Sequence, residues 1–249
     1  MDYYEQDAVI QEYLAFHYPD PERDPLQALL GARTPPLAGR FPFVVKRHWP
    51  AGAGGRALDV GAACGRVTFD LARDHDEALG IDSSEGLIEA ARRVQATGVA
   101  RYRTIDEGDL QLQHEVAVEP APNVSFSVAD ALNLPFEPAA FRTVVALNLV
   151  CRVPHPERAV EELARVTEPG GTLVVSSPYT WLESYTPRSH WLGGFARDGE
   201  TMRGAARLRQ LLEPGFEFTE DARYPFFIPH HARSGQLGLA HVQRFRKRA

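Results

Sequence analysis

The sequence predicts an α/β protein built on a doubly wound, mostly parallel seven-stranded sheet. From residue 56 onward, short apolar runs that end in Gly, Asp or Asn alternate with helical stripes of apolar residues. This alternation is typical of parallel strands whose connecting helices cover both faces of a sheet. A glycine-containing turn, Gly61 to Gly65, joins the first run to the first stripe. The 249 residues are expected to form a single domain.

Seven runs carry the strand pattern and six carry the helix pattern. The expected strands are 56–60, 78–81, 123–128, 141–148, 172–177, 216–222 and 237–245. The expected helices are 2–18, 36–48, 66–75, 85–96, 156–167 and 202–212. The run 141–148 is apolar almost throughout, which indicates a central strand buried on both faces. Residues 1–50 are expected to form a helical lid and residues 51–249 the core, with inserts at 99–122 and 178–202.

Composition and charge exclude several classes of protein. The formal net charge is −6, and the one basic tract is the terminal RFRKRA. Nucleic-acid binding through phosphates needs clustered Lys and Arg, so this class is not expected. No apolar run approaches the roughly 20 residues that span a bilayer, and the acidic start does not resemble a signal peptide. Two cysteines, Cys64 and Cys151, suit a reducing compartment, so a soluble cytoplasmic protein is predicted.

The turn after the first strand predicts a nucleotide-type cofactor. Its spacing is D-x-G-x-x-x-G, from Asp59 to Gly65, and it has no Lys-Ser/Thr pair, which excludes a P-loop. Glycines there let the backbone approach a ligand. Because Asp59 would repel a pyrophosphate, it favours a ligand that carries a cationic amine.

Two further acidic residues follow the next strands and strengthen this prediction. Asp82 follows the second strand, where a carboxylate accepts hydrogen bonds from ribose hydroxyls, and Asp130 follows the third, within reach of an adenine edge. Three acidic strand ends fit S-adenosylmethionine better than NAD. The predicted cofactor residues are Asp59, Gly61, Ala62, Ala63, Gly65, Asp82, Ser83, Asp130, Ala131 and Asn148.

An irregular aromatic stretch follows the strand 172–177. It runs SSPYTWLESYTPRSHWLGGF, from Ser176 to Phe195, and has no period of 2 or 3.6. Because ligands bind outside the carboxyl ends of parallel strands, this stretch is expected to overhang the cofactor. The predicted substrate-binding residues are Tyr3, Tyr4, Arg152, Tyr179, Trp181, Arg188 and Trp191. The predicted catalytic residues are Asn148, Tyr179 and Arg188, and no metal site is predicted.

Each of these side chains also has a simpler interpretation. Trp181 and Trp191 can be packing anchors of a surface loop, and Arg188 can belong to a surface ion pair. Tyr3 and Tyr4 can cap the first helix or form a lid over the site. The acidic segment Ile105–Leu110 can bind the α-ammonium group of a substrate or can simply be a solvated loop.

Five segments carry a resemblance to a known family. They are DYYEQDAVIQEYLAFHY, LDVGAACGR, YRTIDEGDL, ALNLVCRV and SPYTWLESYTPRSHWLGG. Over residues 2 to about 247 the chain resembles the C-terminal methyltransferase domain of bifunctional ovothiol-biosynthesis enzymes. The resemblance implies a Rossmann-like class I methyltransferase that uses S-adenosylmethionine. It further implies methyl transfer to an imidazole nitrogen of 5-thiohistidine (4-mercaptohistidine), giving ovothiol A.

The sequence departs from that family in one respect. The iron-dependent sulfoxide synthase that the family carries on its N-terminal side is absent from the 249 residues, and no His-rich iron motif occurs. A stand-alone methyltransferase is therefore expected, with thiohistidine supplied by a separate sulfoxide synthase.

Two alternatives remain beside this prediction. The first is a methyltransferase that acts on another small aromatic or natural-product substrate. The second is a non-catalytic chain that binds S-adenosylmethionine as a sensor or partner. Assays with 5-thiohistidine, histidine and other imidazoles distinguish the three.

Overall fold

The computed structural model describes residues 3–119 and 121–249. Within them lie strands β1 (Arg56–Val60), β2 (Glu77–Asp82), β3 (Val99–Glu107), β4 (Leu110–Ala117), β5 (Val124–Val128), β6 (Phe141–Leu147), β7 (Thr167–Ser177), β8 (Phe195–Arg197), β9 (Glu200–Met202), β10 (Phe216–His231) and β11 (Ser234–Lys247). The α-helices are α1 (Asp7–His17), α2 (Pro25–Leu30), α3 (Arg66–Leu71), α4 (Glu85–Thr97), α5 (Pro156–Val166) and α6 (Gly204–Leu212).

Seven of the strands form the main sheet, in the order β10-β11-β7-β6-β1-β2-β5. The five strands from β7 to β5 are parallel, and β11 pairs antiparallel with β7 and with β10. The chain proceeds from β1 outward to β2 and β5, and then returns to β6 on the other side of β1. This reversal puts a topological switch point between β1 and β6, where open α/β sheets bind ligands. The predicted seven-stranded, mostly parallel fold is confirmed.

Helices cover both faces of the sheet, as the apolar run of β6 predicts. Val145 of β6 packs in a core cluster with residues of α1, α3 and α4. Its neighbours Val144 and Ala146 pack in a second cluster with residues of α5 and α6. Successive side chains of a strand point to opposite faces, and helices cover both faces here, so all three side chains are fully buried.

The predicted helix over 36–48 is wrong. The structure has two short 3-10 turns there, Leu37–Gly39 and Val45–His48. Pro42 lies between them and has no N–H to donate, which disfavours a continuous helix. The apolar residues that suggested the helix are nevertheless buried, with Phe41 4% exposed.

The last two strands are far longer than predicted. β10 extends over Pro225 and Pro229, beyond the predicted end at residue 222. Proline is tolerated because β10 is the last strand at its edge of the sheet. β7 also begins earlier than predicted, at Thr167.

The predicted inserts and lid have definite structure. The insert 99–122 contains the antiparallel hairpin β3–β4, and the insert 178–202 contains the small hairpin β8–β9. The N-terminal segment consists of a 3-10 turn, Tyr3–Glu5, followed by α1, whereas Met1, Asp2 and Pro120 lie outside the described residues. In the described part of the chain, every helix is too short or too polar to cross a membrane.

Candidate cofactor and substrate site

The turn from Gly61 to Gly65 requires glycine at both ends. The backbone is left-handed at both residues, with φ of 78° and 85°. A Cβ at Gly65 would lie 2.5 Å from Cζ of Phe126, and one at Gly61 would lie 3.1 Å from Cδ1 of Leu149. Leu149 follows β6, so this contact lies at the switch point. The two glycines therefore allow a tight turn beside the strand ends without a side chain in the way.

Asp59 is a buried carboxylate just before this turn. It is 2% exposed, and its Oδ2 accepts a hydrogen bond from the Thr68 hydroxyl at 2.8 Å. Burial, partly offset by the hydrogen bonds with Thr68 and reinforced by the nearby Asp82, raises the pKa of Asp59 to about 7. A cationic ligand group nearby would favour the charged form of Asp59.

Asp82 joins the glycine turn to the start of α4. Its Oδ2 accepts from the N–H of Ala63 and its Oδ1 accepts from the N–H of Ser84, both at 3.0 Å. Burial raises the pKa of Asp82, while these N–H bonds lower it in part. Ser83, which lies between Asp82 and Ser84 in the sequence, is exposed. The carboxylate is thus fixed at the end of β2, which is the position predicted for a ribose contact.

Asp130 and Asn148 lie at the ends of β5 and β6. The Asp130 carboxylate accepts from the N–H of Leu132 at 2.9 Å, and the neighbouring Ala131 is buried. Asn148 has a φ of 56°, and its Oδ1 accepts from the hydroxyl of Ser176 in β7 at 3.0 Å. The sheet therefore brings all the predicted cofactor residues to one rim.

Four tyrosine side chains meet beside the end of β2. They are Tyr3, Tyr4, Tyr13 and Tyr185, and we call them the tyrosine cluster. The Tyr4 ring centroid lies 5.2, 5.9 and 6.0 Å from the other three, in the order Tyr3, Tyr13 and Tyr185. The Ser84 hydroxyl donates to the carbonyl of Tyr4 at 3.1 Å. Because the N–H of Ser84 is bonded to Asp82, the cluster lies next to the acidic end of β2.

Arg152 places a positive charge against this cluster. Its guanidinium carbon lies 5.1 Å from the ring centroid of Tyr185. Two of its nitrogens donate to Thr180, to the carbonyl at 2.9 Å and to the hydroxyl at 3.1 Å. Burial raises the pKa values of Tyr3 and Tyr4, and the charge of Arg152 partly offsets this. Arg152 is thus held in place by the aromatic stretch and is half-buried at the rim.

A second aromatic cluster is formed by Trp181 and Trp191, which we call the tryptophan pair. Their rings stack with centroids 6.2 Å apart and planes 19° apart. Nε1 of Trp191 donates to the carbonyl of Thr186 at 2.8 Å. The exposed Arg188 lies over Trp191, with its guanidinium carbon 5.0 Å from the ring centroid.

Tyr179 lies on the side of the tryptophan pair. A Cβ on Gly204, the first residue of α6, would lie 2.7 Å from Cδ1 of Tyr179 and 3.5 Å from Cζ2 of Trp181. The Tyr179 ring also lies 5.9 Å from that of His241 in β11. Substrate contact by Tyr179, Trp181, Trp191 and Arg188 therefore stays a prediction.

Sequence reasoning missed two members of the tyrosine cluster. Tyr13 looked like one position of an apolar helical stripe, and Tyr185 was one aromatic among several in the irregular stretch.

The acidic segment Ile105–Leu110, considered as a contact for the α-ammonium group of a substrate, is paired within the protein. Arg233 pairs with Asp106 and with Glu107, at 3.3 and 3.1 Å. Over residues 3–119 and 121–249, no group of His, Cys, Asp and Glu is suited to hold a metal ion.

Residues 58–175 match the family model described as a methyltransferase domain. The chain is 34% identical over 122 residues to a phosphatidylethanolamine N-methyltransferase of Cereibacter sphaeroides, covering 49% of this chain and 50% of the relative. It is 29% identical over 191 residues to a ubiquinone biosynthesis O-methyltransferase of Methylococcus capsulatus, covering 77% and 66%. The chain thus spans half to two thirds of the length of these relatives.

The fold is also that of solved methyltransferase structures. A SAM-dependent methyltransferase from Methanosarcina mazei aligns with a TM-score of 0.56 and 21% identity, covering 84% of this chain and 98% of that one. This likeness confirms the predicted fold class. The chain therefore has the fold of the class I methyltransferases and matches the methyltransferase domain model over residues 58–175.

Proposed function

We propose that the chain transfers a methyl group from S-adenosylmethionine to a ring nitrogen of 5-thiohistidine, giving ovothiol A. The observation that carries this proposal is the tyrosine cluster with Arg152, in which flat aromatic rings next to the end of β2 lie against one fixed cation. Aromatic rings suit a flat imidazole, and a guanidinium suits the α-carboxylate of an amino acid.

The cofactor in this proposal lies along the rim. The Asp82 carboxylate would accept hydrogen bonds from the ribose hydroxyls of the cofactor. The Asp59 carboxylate would favour its amino group, and the Asp130 carboxylate would contact its adenine edge. The turn at Gly61 leaves room for the ligand beside the backbone. The bound cofactor supplies an electrophilic methyl group on a sulfonium centre.

The reaction is an in-line displacement. The lone pair of the ring nitrogen forms the new N–C bond, and the bond from the methyl carbon to the sulfonium breaks with its electron pair left on sulfur. A thiolate substrate becomes a methylated imidazolium thiolate, so no proton has to leave. The site then needs orientation rather than a base, with the nitrogen held roughly 3 Å from the methyl carbon.

The composition of the cluster supports a nitrogen acceptor. Its members are four tyrosines, and burial raises the pKa of Tyr3, Tyr4 and Tyr13. Protonated phenols and a guanidinium donate hydrogen bonds and do not remove protons. O-methylation of a hydroxyl group requires a proton to leave, whereas a neutral ring nitrogen already has a lone pair; an O-methyltransferase is what the ubiquinone-biosynthesis relative is named.

Of the two arginines predicted to bind the carboxylate, Arg152 has the better position. It contacts Tyr185 of the cluster, whereas Arg188 lies over Trp191 on the exposed side of the tryptophan pair. A separate sulfoxide synthase would supply the thiohistidine, as in the family that the sequence resembles. Residues 3–17, which include three of the cluster's tyrosines, would form part of the lid over the site.

The test is incubation of the chain with methyl-labelled S-adenosylmethionine and a panel of acceptors. The panel contains 5-thiohistidine, histidine, other imidazoles and small phenols, with products identified by mass spectrometry and NMR. We expect N-methylated thiohistidine as the main product, and no turnover by Asp82→Ala. Preferred methylation of a phenol, or binding of the cofactor without consumption across the panel, would refute the proposal.

A further inference from the structure

Asn148 lies at the end of β6, and its backbone is held by β7. It has a left-handed φ of 56°, which asparagine tolerates better than most residues. Its N–H donates to the carbonyl of Ser176 at 2.9 Å and to the hydroxyl oxygen of Ser176 at 3.0 Å. Ser176 pairs with Leu147 across the sheet and is 1% exposed. The turn after β6 is therefore fixed to a buried residue of the neighbouring strand.

The same serine also fixes the side-chain amide of Asn148. The Ser176 hydroxyl donates to Oδ1 of Asn148 at 3.0 Å. A hydroxyl has one hydrogen to donate, and this buried hydrogen would lose its acceptor if the amide were turned over. The carbonyl side of the amide thus faces β7, and the NH2 group lies on the side away from Ser176.

The NH2 group of Asn148 is free to bind a ligand. Among residues 3–119 and 121–249, Nδ2 has no hydrogen-bond partner, and it is not one of the buried polar atoms left without a partner there. Since Asn148 is only half-buried, Nδ2 reaches solvent at the end of β6. A hydrogen-bond donor of fixed orientation is therefore presented at the switch point of the sheet.

The order of the strands indicates what this donor meets. Under the proposed function the adenine, the ribose and the amino group of the cofactor lie along the ends of β5, β2 and β1, and β6 is the next strand. The end of β6 lies beyond the amino-acid end of the cofactor, on the side where the methyl acceptor has to approach. The attacking nitrogen needs its lone pair free, so the amide has to donate to a different acceptor atom of that molecule.

We infer that Ser176 is a positioning residue, which holds the Asn148 amide so that its NH2 group, and not its carbonyl, meets the methyl acceptor. The inference rests on the proposed function for the identity of that acceptor. Asn148 then acts as a fixed hydrogen-bond donor that orients the substrate, and no proton is transferred. Ser176 is buried and acts through Asn148.

The first experiment is a double-mutant cycle of Ser176→Ala and Asn148→Gly, in which glycine keeps the left-handed backbone. Ser176→Ala frees the amide to turn over, so we expect KM for 5-thiohistidine to rise roughly three- to tenfold, with unchanged affinity for adenosylhomocysteine. In the Asn148→Gly background the serine change should have no further effect on KM. Effects of the two changes that multiply in the double variant would overturn the inference, because Ser176 would then act without the amide.

The matched control is Thr167→Val, which removes a buried hydroxyl at the other end of β7. That hydroxyl donates to the carbonyl of Leu163 at 2.7 Å, far from the strand ends that form the rim. We expect lower stability and an unchanged KM. A rise in KM as large as that of Ser176→Ala would show that any loss of packing in β7 has this effect, and would overturn the inference.

The second experiment uses the wild-type chain and does not depend on how the variants fold. NMR of the isotope-labelled chain with adenosylhomocysteine follows the side-chain NH2 signals of Asn148, which are assigned by their loss in Asn148→Gly. We expect these signals to shift when 5-thiohistidine is added, and signals that do not move at saturation would overturn the inference. If the wild type binds S-adenosylmethionine but does not methylate thiohistidine, the proposed function fails. If it methylates thiohistidine, but the two variants act independently and the amide signals do not move, the inference about Ser176 alone fails.

Discussion

The tyrosine cluster and the tryptophan pair both take residues from the stretch Ser176–Phe195, yet they are built differently. The tyrosine cluster joins three parts of the chain: the N-terminal turn, α1 and the stretch itself at Tyr185. It includes hydroxyl groups and has Arg152 against it. The tryptophan pair lies within the stretch and packs against glycine backbone.

Glycine contacts show how tightly the tryptophan side is packed. A Cβ at Gly193 would lie 2.2 Å from the backbone nitrogen of Gly204, and one at Gly194 would lie 3.3 Å from Cδ1 of Trp181. Such close packing fixes the path of the chain after β7. The comparison teaches that aromatic content alone does not indicate a binding role. The proposed binding role belongs to the cluster in which polar aromatic groups from separate segments meet a fixed charge at the strand ends.

The largest effect that separates the two clusters is expected for stability. Trp181→Ala should lower the free energy of unfolding by about 2–4 kcal/mol, because it leaves a cavity beside Gly194 and Gly204. The kcat/KM per folded molecule should change little. Denaturant unfolding and active-site titration measure the two quantities.

The matched variant for this comparison is Tyr185→Ala. We expect it to reduce activity more and stability less than Trp181→Ala does, because its ring supports Arg152. The distinction between the clusters is wrong if Trp181→Ala loses activity at full stability.

The second effect concerns the two arginines. Arg152→Gln should reduce kcat/KM for 5-thiohistidine about a hundredfold, mostly through KM, since it removes a charged partner of the carboxylate. Arg188→Gln should stay within about threefold of the wild type, because the Arg188 guanidinium lies over Trp191. Steady-state kinetics of both variants decide this, and the opposite ranking would move the substrate site to the tryptophan side.

The cofactor rim could be predicted from the sequence because its signals are local. Asp59, Gly61 and Gly65 follow one strand within a few residues, and the sheet topology then brings Asp82 and Asp130 beside them. Burial of β6 on both faces also follows from its own apolar residues. These features depend on the strand period and on turn chemistry, which a single sequence displays.

The tyrosine cluster could not be predicted in the same way. Tyr13 and Tyr185 are 172 positions apart by their numbers, and nothing in the local pattern links them. The predicted strand 216–222 ends before Pro225 and Pro229, whereas β10 continues over both, because an edge strand tolerates proline. The helix expected over 36–48 does not form, because the apolar residues Phe41, Val44 and Val45 are spaced as on one helical face but are buried by two short 3-10 turns on either side of Pro42. In each case tertiary contacts outweighed local preference.

The smallest effect is a difference in alkaline stability. Burial raises the pKa of Tyr13, so the folded chain keeps this proton to a higher pH than the unfolded chain does. Above about pH 10 the folded state then binds more protons, and the free energy of unfolding falls by about 1.4 kcal/mol per pH unit for each such group. Other buried tyrosines, such as Tyr18 and Tyr102, contribute to the same fall.

Tyr13→Phe removes one of these groups, so its loss of stability between pH 10 and 11 should be smaller than that of the wild type by up to about 1.4 kcal/mol. Trp181→Phe contains no new or lost titratable group and should follow the wild-type slope, although its stability is lower at every pH. Urea unfolding at a series of pH values measures both slopes. If Tyr13→Phe keeps the wild-type slope, the Tyr13 hydroxyl is solvated in the folded chain. The tyrosine cluster would then be less desolvated than the proposed function requires, and the functional distinction between the tyrosine cluster and the tryptophan pair would rest on Arg152 alone.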